Sequence, residues 1–298
     1  QQREWVQHRE AARLKVGGDV GSITSGKNAV KDYIKHIENT AVAHFYGTRI
    51  AIDCANGSAS ETANELFRRL GCECTVINCR PDGENINKNC GSTHIEGLQK
   101  YVAENGFDLG FAFDGDADRL LCADDRGELV DGDKIMAICA KSMKESNTLN
   151  ANTLVATVMS NMGLFEFCKK YGINCEKTKV GDRYVLERML EGGFHIGGEQ
   201  SGHVIFLDYA TTGDGQLTAV QLLNVIRTTG KSLRDLASEV GYYSHYLITE
   251  KELGSTGRVL VRASGTEPLV RVMIEGKNEK QIDRLATQIS EVVRERLI

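Results

Sequence analysis

Apolar positions along the chain fall into short runs that alternate with helically spaced stretches. Arg49-Ile-Ala-Ile-Asp-Cys54 is a brief apolar run that empties into Asn56-Gly57, so it predicts a strand opening onto a turn. From Glu61 to Leu70 the residues Ala63, Leu66, Phe67 and Leu70 recur at helical spacing, and Gly71 supplies the stop. Cys74-Thr-Val-Ile-Asn78 predicts a second strand, Leu98 to Val102 lie in a second helix, and Leu109-Gly-Phe-Ala-Phe113 predicts a third strand. Strands alternating with helices imply a mostly parallel sheet with helices packed on it.

The same logic restarts downstream. Leu154-Val-Ala-Thr-Val158 reads as a strand and Leu164 to Tyr171 as a helix ended by Gly172. Glu65-Leu-Phe-Arg-Arg-Leu-Gly71 and Glu166-Phe-Cys-Lys-Lys-Tyr-Gly172 are matched helix endings, each leading into a Cys-containing strand, which points to duplication. The last stretch differs. Arg258-Val-Leu-Val-Arg262 and Val270-Arg-Val-Met-Ile-Glu275 alternate like strands of a half-exposed sheet. Glu279 to Leu297 follows as an amphipathic helix carrying Ile282, Leu285, Ile289, Val292 and Val293. The pattern therefore predicts an α/β protein: two α/β domains with mixed, mostly parallel sheets, plus a small C-terminal α+β domain. Its segments divide at residues 1–26 (an N-terminal remnant), 27–144, 145–245 and 246–298.

Composition narrows the function classes. The chain has 298 residues, 41% hydrophobic and 26% charged, as in ordinary soluble globular proteins. A formal charge of −5 argues against a nucleic-acid binder. No apolar run reaches the roughly 20 residues that span a membrane. Gln1 to Lys15 is charged and lacks the apolar core of a secretory signal, so a cytoplasmic setting is expected. Of nine cysteines, Cys54, Cys122, Cys139 and Cys168 sit in apolar stretches, which suits buried free thiols in a reducing compartment. Cys72, Cys74 and Cys79 lack a second ligand pair at zinc-finger spacing. Nothing in the pattern fixes the oligomeric state, and a homodimer is compatible with it.

The sharpest chemistry is Phe111-Ala-Phe-Asp114-Gly-Asp116-Ala-Asp118-Arg119, three aspartates at alternate positions directly after an apolar strand. In an extended loop alternate side chains point the same way, so three carboxylates can converge. A hard divalent cation relieves their repulsion, and oxygen-only ligation suits Mg2+, which keeps positions open for phosphate oxygens. Arg119 can grip a phosphate with its bidentate fork. An EF-hand fails, because counting from Asp114 the sixth position is Arg119 and the twelfth Asp125. A rival is an aspartate-nucleophile phosphatase, which would pass through an aspartyl-phosphate at Asp114.

Two further loops favour sugar-phosphate binding. Gly197-Gly-Glu199-Gln-Ser201-Gly-His203 is glycine-flanked and polar; Glu199 and Ser201 suit sugar hydroxyls, and the glycines allow close backbone approach. Arg262-Ala-Ser264-Gly265-Thr266-Glu-Pro268, with Arg271 close behind, offers hydroxyls, successive amides and two arginines, the makings of a metal-free phosphate nest. Lys179-Val-Gly181-Asp182-Arg183 stands at a strand-to-helix junction, where it either touches a sugar or starts the helix with Asp182 as cap.

Together these motifs resemble the α-D-phosphohexomutase superfamily, and within it the phosphoglucosamine mutase branch, from about Asp19 onwards. The resemblance implies Asp114, Asp116 and Asp118 as magnesium ligands and Arg119 as a phosphate contact. It implies Gly181, Asp182, Arg183, Glu199, Ser201 and His203 on the substrate, and Arg262, Ser264, Gly265, Thr266 and Arg271 on its distal phosphate. Gln200, Thr157-Val-Met-Ser-Asn-Met-Gly163 and Thr211-Thr-Gly-Asp-Gly215 look like the glucosamine branch, whereas Ala263 stands where Pro is frequent. The implied reaction is the isomerisation of glucosamine 6-phosphate to glucosamine 1-phosphate, on the route to UDP-N-acetylglucosamine and cell wall. A phosphoserine donates its phosphoryl group and recovers another from a hexosamine bisphosphate, which serves as activating intermediate.

One departure is expected to matter. The family's donor serine sits in a Ser-His-Asn-Pro-like loop that these residues lack; Gln1 to Val16 is too short to supply its domain, and Ser22 and Ser25 lack its context. The stretch from Tyr243 to Gly257 is also abridged. The chain alone is then expected to be inactive without the serine domain. A phosphomannomutase or phosphoglucomutase, or a non-catalytic sugar-phosphate-binding fragment, are the alternatives.

Overall fold

The computed structural model describes residue 26 and residues 28–242, 244–245, 257–263 and 270–287. Helix α1 (Ala29–Glu38) leads into strand β1 (Arg49–Asp53), helix α2 (Ala63–Arg69), strand β2 (Glu73–Ile77), helix α3 (Glu96–Asn105) and strand β3 (Leu109–Phe113). Strands β4 (Leu120–Asp124) and β5 (Leu129–Val130) turn back and complete a sheet of order β2-β1-β3-β4-β5. β1 pairs in parallel with β2 and β3, while β3-β4 and β4-β5 are antiparallel. The predicted helix Glu61–Leu70 is shorter than its pattern, because Ser58–Glu61 winds as a 3-10 turn before α2.

Helix α4 (Gly132–Glu145) opens a second unit: β6 (Thr153–Thr157), α5 (Met162–Lys170), β7 (Asn174–Thr178), α6 (Asp182–Gly192), β8 (Ile196–Gly198) and β9 (Val204–Phe206). Its sheet has the order β7-β6-β8-β9, with β6 parallel to β7 and β8, and β9 antiparallel. This repeats the order β2-β1-β3-β4 of the first sheet, so the duplication hinted at by the helix endings is visible in the strand order. α4, continuous in sequence with the first segment, packs on β8 and α5. Asp131 caps it by accepting from Lys134 N.

Helices α7 (Gly215–Thr229) and α8 (Leu233–Ser238) close the second unit. α7 lies along the seam between the two sheets, where one buried apolar cluster runs unbroken from Ile50 and Phe111 through Leu217 and Leu223 to Leu154 and Phe206. Polar side chains of α7 cross the seam: Gln216 donates to Thr62 at 2.7 Å, Gln221 to Thr40 Oγ1 at 2.8 Å, and Asn224 accepts from Val42 N at 2.9 Å. Buried amides that find partners across a joint fix its register, because leaving them unpaired is costly.

The last unit is an antiparallel sheet of order β10-β12-β11, built from β10 (Ser244–His245), β11 (Arg258–Ala263) and β12 (Val270–Gly276), followed by helical residues 279–287 in which Ile282 and Leu285 are fully buried. Residues 288–297 of the predicted closing helix lie outside the described residues. No helix among the described residues is long and apolar enough to cross a membrane.

Candidate functional site

Each of the two large sheets sends a tight hairpin to the same place. The first, residues 114–119, joins β3 to β4; the second, residues 199–203, joins β8 to β9. Leu120 N donates to Gly202 O at 3.0 Å, locking one to the other. Gly202 permits the approach: its φ is +94°, and a Cβ there would stand 2.3 Å from Leu120 O.

The first hairpin converges its three aspartates. One carboxylate oxygen from each of Asp114, Asp116 and Asp118 lies within 4.8 Å of the others. Asp114 continues a wholly buried strand and is 7% exposed, Asp118 is half-buried and Asp116 exposed. The turn closes through Ala117, at a left-handed φ of 59°, whose N–H donates to Asp114 O at 3.1 Å. Behind it Ser58 N donates to Gly115 O at 2.9 Å, and Gly57 leaves room for the contact, since a Cβ there would fall 2.2 Å from that oxygen. Asp53, 1% exposed, ties down this backing loop by accepting from Ala55 N, Asn78 Nδ2 and Gly91 N.

Electrostatics mark the trio as incomplete by itself. Burial, then the neighbouring Asp118 and Asp116, push the Asp114 carboxyl up to about 7, against a backbone hydrogen bond from Arg119. Arg119 Nε stands 3.6 Å from Asp114 and 3.7 Å from Asp118, too far for hydrogen bonds. Asp118 Oδ1 and Arg119 Nε are both buried without a hydrogen-bond partner. An all-oxygen set with an orphaned acceptor and mutual repulsion fits a hard divalent cation such as Mg2+.

The second hairpin reaches the trio through His203, which is 3% exposed. Its Nε2 lies 3.1 Å from Gly213 N, an atom that can only donate, so Nε2 accepts and the proton sits on Nδ1. Nδ1 then donates to Asp118 Oδ2 at 3.0 Å. His203 was expected on the sugar; here both its ring nitrogens are engaged inside the protein, one of them on Asp118. Partners of this kind orient metal ligands. Sequence alone cannot find this contact, because it joins residues 85 positions apart in the chain.

The other expected substrate residues divide. Glu199 Oε1 accepts from Gly181 N at 2.9 Å, so the 179–183 stretch and the 199–203 hairpin meet. Gly181 occupies the cap position of α6 at φ 126°, and Asp182 is the helix's first residue rather than its side-chain cap. Arg183 is paired with Glu187 at 2.6 Å, and Ser201 is exposed. Gln200 Nε2 donates to Asp131 Oδ2 at 3.1 Å, which turns its amide toward the start of α4. In the last unit Arg262 and Arg271 stand opposite each other across β11 and β12. Ser264, Gly265 and Thr266 lie outside the described residues.

Comparison with known proteins follows the same partition. Models of the phosphoglucomutase/phosphomannomutase family match as alpha/beta/alpha domain II over residues 31–127, alpha/beta/alpha domain III over 131–243 and the C-terminal domain over 222–292. The chain belongs to this family. It is 49% identical to the phosphoglucosamine mutase of Acetivibrio thermocellus over 97% of its length and 70% of the relative's. It is 51% identical to that of Caldicellulosiruptor saccharolyticus, covering 90% of this chain and 65% of the relative. The chain thus spans about two thirds of the curated relatives it matches. A phosphoglucomutase/phosphomannomutase family protein from Burkholderia thailandensis shares the fold with a TM-score of 0.76 at 22% identity, over 89% of this chain and 64% of that one. Aspergillus fumigatus N-acetylphosphoglucosamine mutase, solved with GlcNAc-6P and magnesium, shares it with a TM-score of 0.68 at 19% identity, over 89% and 68%.

Proposed function

We propose that the chain is the metal-, sugar- and distal-phosphate-holding part of a phosphoglucosamine mutase, which interconverts glucosamine 6-phosphate and glucosamine 1-phosphate. The observation that carries this reading is the meeting of the two hairpins, with the acidic trio of one held by His203 of the other, in a chain about half identical to proteins of that name.

Asp114, Asp116 and Asp118 would hold Mg2+, which supplies charge neutralisation to a transferring phosphoryl group. Arg119, beside the trio, would offer its guanidinium to the same group. Gly181, Asp182, Arg183, Glu199 and Ser201 present the sugar face, with Glu199 and Gly181 already joined. Arg262, Ser264, Gly265, Thr266 and Arg271 hold the phosphate that is not reacting. The phosphoserine of such a reaction is assigned to no serine of this chain, and a hexosamine bisphosphate would be its activating intermediate.

Phosphorus NMR of the chain with Mg2+, glucosamine 6-phosphate and a trace of hexosamine bisphosphate tests the proposal. Saturable binding of glucosamine 6-phosphate, preferred over glucose and mannose phosphates, supports it whether or not turnover occurs. Absence of hexosamine-phosphate affinity, or net release of inorganic phosphate, overturns it.

A further inference from the structure

The two hairpins are not alone at the trio. A third segment, residues 211–215 between β9 and α7, lies against both. Gly213 N donates to His203 Nε2 at 3.1 Å and Gly215 N to Ala117 O at 2.9 Å, so the segment meets the acidic hairpin directly and through His203. Neither glycine has room for a side chain. A Cβ at Gly213 would stand 2.6 Å from the His203 ring and 2.7 Å from Asp118 O, and one at Gly215 would stand 2.5 Å from Arg119 O. The residue between them, Asp214, is where the segment is gripped. Its carbonyl accepts from Thr218 N at 2.9 Å and Thr218 Oγ1 at 2.7 Å, and its side chain caps α7 by accepting from Leu217 N at 2.9 Å.

From outside the segment Asp214 is met by Tyr33 of α1, whose hydroxyl lies 3.0 Å from each carboxylate oxygen. Burial first, and then Asp214, hold the Tyr33 phenol above its ordinary range, so it keeps its proton and donates. Other bonds already fasten α1 and the residues after it to α7 and its approach: Gln221 to Thr40, Val42 N to Asn224, and His36 with the Tyr209 carbonyl. The contact at Asp214 is therefore not needed merely to dock the helix. We infer that Tyr33 is a positioning residue for the acidic trio: by holding Asp214 it fixes the 211–215 segment, which keeps His203 on Asp118 and supports the turn at Ala117. This deepens the metal-site part of the proposed function and rests on it.

Tyr33→Phe removes the hydroxyl alone, and Thr40→Val removes a bond of the same joint that does not reach Asp214. Calorimetric titration with Mg2+ should find Tyr33→Phe weakened about three- to tenfold, less than the roughly 10- to 100-fold of a direct partner of a metal ligand, and Thr40→Val unchanged. In an Asp214→Asn background the Tyr33→Phe loss should all but vanish, because the two residues act through one contact. Equal Mg2+ affinity in wild type and Tyr33→Phe, equal weakening by Thr40→Val, or additive losses with Asp214→Asn overturns the inference. Amide exchange in the metal-free protein gives a second readout. Protection of Gly213 N should fall about three- to tenfold in Tyr33→Phe, the worth of one ordinary hydrogen bond, while Val42 N, which donates to Asn224 across the same joint, keeps its protection. That split upholds the tie through Asp214 even where wild type binds no Mg2+, a result that sinks the metal reading alone. Equal loss at both amides, or loss at neither, overturns it.

Discussion

Replacing Asp114 by Asn separates the metal reading from any question of turnover. In the metal-free protein the Asp114 carboxyl is raised from its ordinary 3.8 to about 7 by burial and by Asp118 and Asp116. That is roughly 3 pKa units, or about 4 kcal/mol at 1.4 kcal/mol per unit. The repulsion is shared within the trio, so about half, ~2 kcal/mol, is assigned to Asp114 itself. The sign follows from proton binding. Between about pH 4 and pH 7 the folded chain holds a proton that the unfolded chain has lost, so metal-free stability falls as pH rises across that window and is flat above it. At pH 8 the whole cost is present in wild type. Asparagine keeps the acceptor for Arg119 N, 3.2 Å from Asp114 Oδ1, and offers an amide to Asp118 without charge.

Thermal melts in EDTA at pH 8 should therefore place Asp114→Asn above wild type by about 4 to 8 °C, taking 2–4 °C per kcal/mol. At pH 5 the gap should close to within about 2 °C, because wild type is then largely protonated at this position. Saturating Mg2+ should reverse the order. At a hundredfold excess over its dissociation constant a bound ion adds about 2.7 kcal/mol to wild type, and the variant, short of one ligand, should gain little. An Asp114→Asn protein less stable than wild type in EDTA, or stabilised by Mg2+ as much as wild type, would refute the account.

Three smaller perturbations probe the surroundings. His203→Ala strands Gly213 N and frees Asp118; it should cost about 1–3 kcal/mol in urea unfolding and weaken Mg2+ about 10- to 100-fold by calorimetry, whereas unchanged Mg2+ affinity would remove His203 from the metal's support. Gln200→Glu sets a carboxylate 3.1 Å from Asp131 Oδ2 and should lower the melting point at pH 8 but not at pH 4. A change in sugar preference without that pH-dependent loss would mean residue 200 acts by touching the ligand. Gly57→Ala drives a Cβ toward Gly115 O; a loss of about 1–3 kcal/mol together with weaker Mg2+ binding is expected, and loss of neither would show that the backing loop does not hold the trio.

The sequence carried the repeating strands and helices and the three polar loops, because hydrophobic spacing and clustered aspartates are local signals. It did not carry β4, β5 or β9, whose short antiparallel returns follow polar turns and add little periodicity of their own. Gly132–Glu145 reads as part of the first segment by continuity, yet packs on the second sheet, because a helix is placed by what its buried face meets. His203 was readable as a polar residue beside a sugar loop. Its two hydrogen bonds depend on Gly213 and Asp118 arriving from other elements.

The duplicated strand order explains why the site lies where it does. Asp114 follows directly on β3 and Glu199 directly on β8, so each unit sends an acid out of its equivalent strand; Arg119 and His203 are the last residues before the returning strands β4 and β9. Packing two such units with their hairpins in contact brings His203 of one onto Asp118 of the other, and the Leu120–Gly202 bond fixes them there. What distinguishes the halves is what was added to the common frame. The first hairpin carries Asp116 and Asp118 beside Asp114, a set that fits a cation; the second turns His203 onto Asp118 and joins Glu199 to Gly181 N. The contact of His203 in one unit with Asp118 in the other needs both to be in register. The buried amides of α7 that cross the seam, Gln216 and Asn224 among them, are the means by which that register is kept.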